Sequence, residues 1–251
     1  MELKDFFTQH PRLALAFSGG VDSSYLLYAA KQYDAEVGVY YVSSAFQPAF
    51  ERADALRLAR SLDMPVTVLP LDVLACPEVT ANPADRCYHC KRHVMSTIKA
   101  AAARDGYDLV IDGTNASDNI GDRPGWRALE EEGVLSPLRL CGLTKPMVRS
   151  LSKEAGLFTW DKPAYACLAT RVKTGQPITA ETLAAVEAGE SALFDLGFSD
   201  FRVRTADGKA RLEFTADQLD RARGLWGDIC ARLSPWFSDI ILDPAGREKS
   251  V

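Results

Sequence analysis

Residues 17–24 read FSGGVDSS and follow the apolar run LALA at 13–16. Two glycines allow a tight turn and a close approach of the backbone to a ligand. Three serine hydroxyl groups stand where a helix would begin, and the unpaired N–H groups of a helix start favour an anion. The stretch therefore predicts a buried strand, a phosphate-binding loop and a helix, in this order.

Two common phosphate-binding loops do not match this stretch. The GxxxxGKS/T loop requires a lysine that is missing here, and the glycine spacing differs from GxGxxG. The arrangement strand–SGGxDS–helix instead resembles the PP-loop of the ATP pyrophosphatase superfamily. Members of that superfamily cleave ATP between the α and β phosphates and adenylate a substrate, so the resemblance implies ATP as a substrate.

Four apolar stretches in the first half predict the strands of a parallel sheet. They lie at 13–17, 37–42, 66–71 and 109–111 and alternate with helical patterns at 24–32, 49–62 and 91–104. Apolar strands joined by helices are typical of a sheet covered on both faces. Such sheets bind ligands beyond the carboxyl ends of their strands. We therefore expect FSGGVDSS and the segment DGTNASDN at 112–119 to meet over one nucleotide.

The pattern changes in the last third of the chain. A helix is predicted at 145–155 and a loop at 160–177, followed by a helix at 180–196, a hairpin with an Asp207-Gly208 turn, a helix at 216–233 and a strand at 240–242. We predict an α/β chain. A parallel-sheet PP-loop domain of the adenine nucleotide alpha hydrolase-like kind spans 1–162, and a smaller α+β domain spans 163–251.

Composition limits the partners and the compartment. The 251 residues carry a net charge of −5 and are 47% hydrophobic, with no run of about 18 apolar residues. The charge gives no bias toward nucleic acid, and the charged start MELKDFFTQH is unlike a signal peptide. We expect a cytoplasmic protein with no nucleic-acid or membrane partner. Its six cysteines are too sparse for a disulfide scaffold.

Four further segments narrow the resemblance to one family. DRCYHCKR at 85–92, DGTNASDNIGDRPG at 112–125, SPL at 136–138 and WDKPAYACLATR at 160–171 resemble the LarE family. That family makes the organic ligand of the nickel-pincer nucleotide cofactor. The resemblance implies Mg²⁺-dependent adenylation of a carboxylate of pyridinium-3,5-biscarboxylic acid mononucleotide, a nicotinate-derived mononucleotide, and its conversion to a thiocarboxylate. It also implies a homo-oligomer.

The same resemblance assigns the nucleotide site. Asp22 would bind or orient Mg²⁺, with Asp118 as a second candidate, and Arg123 would neutralise developing charge. The residues expected to contact ATP are Ser18, Gly19, Gly20, Asp22, Ser23, Ser24, Thr114, Asn115 and Arg123.

Three interpretations of the cysteines remain open. Cys87, Cys90 and Cys167 would hold a 4Fe-4S cluster that carries sulfide to the substrate. Alternatively, Cys167 gives up its own sulfur, as in family members that lack the CxxC, or Cys87, Cys90 and His93 belong to a zinc site. The CxxC at 87–90 favours the cluster.

The second domain is expected to hold the substrate. Arg202 and Arg204 alternate on one strand and therefore share a face, which suits the phosphate of a mononucleotide. The resemblance places Arg171 and Glu190, with Cys167 and Asp22, among the catalytic residues. The alternative for the four charged side chains of this domain, Arg171, Glu190, Arg202 and Arg204, is a solvated ion-pairing surface. A tRNA-thiolating PP-loop enzyme and a nucleotide-binding regulator are the rival functions.

Overall fold

The computed structural model describes residues 1–119 and 124–249, and the chain forms two compact units. The first unit contains 1–44, 49–73 and 85–162, and the second contains 45–48, 74–84 and 163–251. The predicted fold class is confirmed, because the first unit has a four-stranded parallel sheet and the second a smaller sheet. The division into domains at 162/163 stays a prediction.

The parallel sheet has the order β3-β2-β1-β4. Its strands are β1 (Arg12–Ala16), β2 (Glu36–Ser43), β3 (Val66–Pro70) and β4 (Val110–Ile111). Successive side chains of β1 point to opposite faces, and both faces are covered. Leu13 and Leu15 pack into one core, while Ala14 belongs to the core on the other face. This explains the continuous apolar run of β1.

Eight α-helices occupy the described chain as far as residue 154. They are α1 (Leu3–Gln9), α2 (Val21–Gln32), α3 (Ala49–Ser61), α4 (Pro77–Thr80), which lies in the second unit, α5 (Arg86–Arg104), α6 (Pro124–Glu131), α7 (Pro137–Leu140) and α8 (Lys145–Glu154). The helix predicted at 91–104 begins at Arg86, so both cysteines of the CxxC lie within its first two turns. The apolar periodicity does not show this start, because polar residues precede position 91. None of the described helices has the length and apolar character needed to cross a bilayer.

The second unit combines a small sheet with helices. After a short 3₁₀ helix (Leu168–Arg171) come α9 (Ala180–Asp195), β5 (Arg202–Ala206), β6 (Lys209–Glu213), α10 (Leu219–Gly224), α11 (Trp226–Leu233) and β7 (Asp239–Leu242). β5 and β6 form the predicted hairpin, with positive φ at Asp207 and Gly208, and β7 pairs parallel to β6. The single helix predicted at 216–233 is wrong. The chain instead forms a 3₁₀ turn, α10 and α11, and Gly224 and Gly227 lower the helix propensity there.

Candidate active site

The PP-loop turns from β1 into α2. Gly19 has φ +75°, and a Cβ at this position would lie 2.5 Å from the Cβ of Ala55 in α3. Only glycine fits this turn. The Ser23 hydroxyl lies 3.0 Å from the Ser18 hydroxyl and donates to the Gly20 carbonyl at 3.2 Å. The loop is therefore closed on itself, with Gly20 as the N-cap of α2.

Ser24 lies deeper than the other loop residues. It is fully buried in α2, and within the described part of the chain its hydroxyl has no hydrogen-bond partner. Its predicted contact with ATP stays a prediction.

A carboxylate and an ammonium group meet at the start of α2. Asp22 accepts from Lys145 Nζ at 2.5 Å and from Asn115 Nδ2 at 3.3 Å. Burial raises the pKa of Asp22, Lys145 opposes this rise, and the nearby charge of Asp118 adds to it. The starts of α2 and α8 thus place a negative and a positive group side by side where phosphates are expected.

Lys145 was not predicted as a site residue. It lies 123 positions from Asp22 and is the first residue of α8. The sequence Thr144-Lys145-Pro146 marks a helix start, because Thr is a common N-cap and Pro suits the first turn. Nothing in that local signal indicates contact with the PP-loop.

The segment at 112–119 packs against the start of α2. A Cβ at Gly113 would lie 2.8 Å from the Ser23 backbone nitrogen. Buried Asp112 accepts from the hydroxyl groups of Thr114 and Ser136, each at 2.6 Å, and thereby shapes the turn.

Asn115 links the two acidic side chains of this region. Its backbone N–H donates to Asp118 Oδ2 at 3.0 Å, while its side chain reaches Asp22. The predicted nucleotide residues Thr114 and Asn115 are therefore brought beside the PP-loop. Arg123 lies outside the described residues.

The CxxC cysteines belong to the first unit and Cys167 to the second. Cys87 is exposed, Cys90 is partly exposed, and a spacing of three residues places both on one side of α5. Two such thiols suit two ligand positions of a thiolate-bound metal or cluster. Across residues 1–119 and 124–249, no group of three or more His, Cys, Asp or Glu side chains is arranged to hold a metal ion.

Arg171 and Glu190 form a buried ion pair in the second unit. Arg171 Nε and Nη2 lie 2.7 and 3.3 Å from the two Glu190 oxygens, and both residues are 1% exposed. Glu190 also accepts from the Val203 N–H at 3.0 Å and from the Tyr165 hydroxyl. A solvated surface pair therefore does not describe these two residues.

Arg202 and Arg204 have different surroundings. Arg202 is buried and donates to the Phe201 carbonyl at 2.6 Å, and burial together with Arg171 lowers its pKa to about 10. Arg204 is 42% exposed, pairs with Glu213 at 3.1 Å and lines a cavity of about 630 Å³. A phosphate contact by Arg202 stays a prediction, whereas Arg204 faces open space. The cavity lining also includes Lys173, Lys209 and Arg211.

Comparison with known proteins identifies the family. The chain is 34% identical over 205 residues to the pyridinium-3,5-bisthiocarboxylic acid mononucleotide synthase of Lactiplantibacillus plantarum. The aligned part covers 80% of this chain and 74% of that protein. The chain belongs to the LarE family. The resemblance deduced from the motifs is thereby confirmed.

Two other relatives of the LarE-family chain are uncharacterised. A protein of Synechocystis sp. is 38% identical over 223 residues, which are 87% of this chain and 82% of that protein. A protein of Methanocaldococcus jannaschii is 27% identical over 215 residues, with 86% and 82% covered. No family model matches the chain.

Proposed function

We propose that this LarE-family chain is an ATP-dependent sulfur transferase. It adenylates a carboxylate of pyridinium-3,5-biscarboxylic acid mononucleotide and converts it to a thiocarboxylate, as part of nickel-pincer nucleotide cofactor biosynthesis. The name of the 34% identical relative supports the product class. The observation that carries the proposal is the PP-loop with Asp22, Asn115 and Lys145 gathered at the start of α2.

Adenylation follows from this arrangement. A carboxylate oxygen of the mononucleotide attacks the α-phosphorus of ATP, and the bond from that phosphorus to the bridging oxygen of the β-phosphate breaks. The departing pyrophosphate gains negative charge, which Lys145 and the free N–H groups at the start of α2 stabilise. Asp22 and Asp118 offer carboxylate oxygens for Mg²⁺, the ligand type that this ion prefers. AMP then becomes the leaving group at the acyl carbon.

Sulfur delivery involves the cysteines in this proposal. Cys87, Cys90 and Cys167 would be the ligands of a 4Fe-4S cluster, which when bound would supply sulfide at the iron that lacks a protein ligand. The sulfide replaces AMP on the acyl carbon. Cys167 as a sacrificial donor is the alternative outcome of the cysteine experiment in the Discussion.

The products of ATP cleavage test the proposal directly. We expect the chain, incubated with Mg-ATP and the biscarboxylate mononucleotide, to form AMP and pyrophosphate, because the loop lacks the lysine of a Walker loop. Chromatography of the nucleotides provides the measurement. Formation of ADP and phosphate would contradict the PP-loop assignment, and ATP binding without any cleavage would favour a nucleotide-binding regulator.

The phosphate of the mononucleotide provides a second prediction. Arg204→Ala should weaken binding of the mononucleotide by about 1–3 kcal/mol, the range for one lost charged contact, and leave ATP binding nearly unchanged. Titration calorimetry with each ligand measures both. Arg223→Ala is the matched control, because Arg223 is an exposed arginine of α10 paired with Asp220 at 2.7 Å. Equal losses for both ligands would indicate a disturbed fold or a shared phosphate site.

A further inference from the structure

The backbone on both sides of the Cys167 thiol is held by side chains of the second unit. The Ala166 carbonyl accepts from Arg171 Nη1 at 3.2 Å. The Cys167 carbonyl accepts from the Thr170 hydroxyl at 2.8 Å and from the Thr170 N–H at 3.0 Å. The peptide groups next to the thiol therefore have fixed partners.

Two more arginines hold the ends of this loop. Arg202 Nη2 donates to the Ala164 carbonyl at 2.8 Å, and Arg204 Nη1 donates to the Thr170 carbonyl at 2.5 Å. Hydrogen bonds from charged donors are stronger than those between neutral groups. Three guanidinium groups, including that of Arg171, thus bind carbonyls between residues 164 and 170.

Tyr165 connects the loop to the buried ion pair. Its hydroxyl donates to Glu190, and its ring centre lies 4.7 Å from the Arg171 guanidinium carbon and 5.6 Å from that of Arg202. The ring and the hydroxyl together contact three of the charged groups around the loop.

We propose that Tyr165 is a positioning residue for Cys167. Its hydrogen bond to Glu190 holds Arg171 and the loop backbone in one arrangement, so that the thiol has a single orientation when sulfur is delivered. Thr170 holds the backbone on the other side of Cys167. The importance of this orientation for turnover rests on the proposed function, whereas the restraint on the loop does not.

Tyr165→Phe tests the proposal because it removes the hydroxyl and keeps the ring. We expect amide hydrogen exchange at 164–170 of the full chain to become about tenfold faster, as for a lost hydrogen bond to a charged group. Exchange in α9 should stay unchanged. The kcat of thiocarboxylate formation should fall while the KM for the mononucleotide and the single-turnover rate of pyrophosphate release, which reports adenylation alone, are kept.

Tyr40→Phe is the matched control. Tyr40 donates to Asp105 at 2.7 Å in the first unit. This variant therefore loses a hydrogen bond of the same kind, from a phenol to a carboxylate, but outside the unit that contains Cys167. Exchange at 164–170 should keep its wild-type rate in this variant. A Tyr165→Phe protein with the same exchange as the control would overturn the proposal.

If Tyr165→Phe destabilises the whole second unit, a second pair of variants tests whether side chains restrain the backbone around Cys167. Thr170→Val removes the hydroxyl that donates to Cys167 and accepts from Arg171 at 2.8 Å, and Thr170→Ser keeps it. We expect faster loop exchange in the valine variant and wild-type exchange in the serine variant. Equal exchange in both would contradict the proposal. Because exchange is measured without turnover, a chain that forms no thiocarboxylate refutes the proposed function separately.

Discussion

Asp22→Asn is expected to reduce AMP and pyrophosphate formation by roughly a thousandfold, the scale of losing a preorganised charged group. The carboxamide is neutral, so it no longer holds Lys145 Nζ at 2.5 Å and is a poor ligand for Mg²⁺. Lys145 would then leave the position where charge develops on the pyrophosphate. Initial rates of pyrophosphate release measure the effect, and a thermal melt establishes that the variant is folded.

Asp63→Asn serves as the control for this substitution. The Asp63 side chain is 92% exposed, and its carboxylate lies 3.6 Å from Lys31 Nζ. The control therefore makes the same carboxylate-to-carboxamide change in a solvated ion pair of the first unit. We expect wild-type rates, because such pairs contribute little. Wild-type turnover in Asp22→Asn would remove Asp22 from the mechanism. If its melting temperature falls strongly, Lys145→Gln provides the second measurement, with the same loss of rate expected.

Replacement of single cysteines is expected to have the largest effect on sulfur transfer. If Cys87, Cys90 and Cys167 bind one 4Fe-4S cluster, each Cys→Ala variant should lose iron and thiocarboxylate formation, because three thiolates are needed. Wild-type protein purified without oxygen should then turn over many times when sulfide is supplied. Iron analysis and product counts per chain measure both effects.

Cys230→Ala is the control among the cysteines. Cys230 lies in α11, where burial raises the pKa of its thiol, and its loss should change neither iron content nor turnover. If Cys167 is a sacrificial donor, Cys87→Ala and Cys90→Ala will be nearly silent and each chain will transfer one sulfur. Intact mass then decreases by about 34 Da as H₂S leaves the thiol and dehydroalanine forms. That decrease would rule out the cluster interpretation.

Local chemistry made much of the fold predictable from the sequence. The strand before the PP-loop is read from continuous apolar residues, and the turn at Gly19 requires a residue that tolerates positive φ. The hairpin is read from Asp207-Gly208, because both positions adopt positive φ in the observed turn. These signals depend only on neighbouring residues, so they can be recognised without knowledge of the rest of the chain.

Local signals were weaker where helices begin or break. The start of α5 at Arg86 lies among polar residues. The apolar periodicity continues across the break between α10 and α11, so it does not reveal that break. Helix propensity is a weak prior that packing overrides. The positions of Cys87 and Cys90 on a helical turn were therefore known only from the structure.

The sequence alone determined the parallel-sheet class, the PP-loop and, through its motifs, the LarE family. Only the tertiary structure decided that Lys145 meets Asp22 across 123 residues and that Glu190 is buried against Arg171. It also showed that Arg202 is buried and Arg204 is half-exposed, although the two residues lie two positions apart on one strand, as predicted. The periodicity of a sequence indicates on which face of its own strand or helix a side chain lies. Which distant group lies there depends on packing, which places residues far apart in the chain side by side.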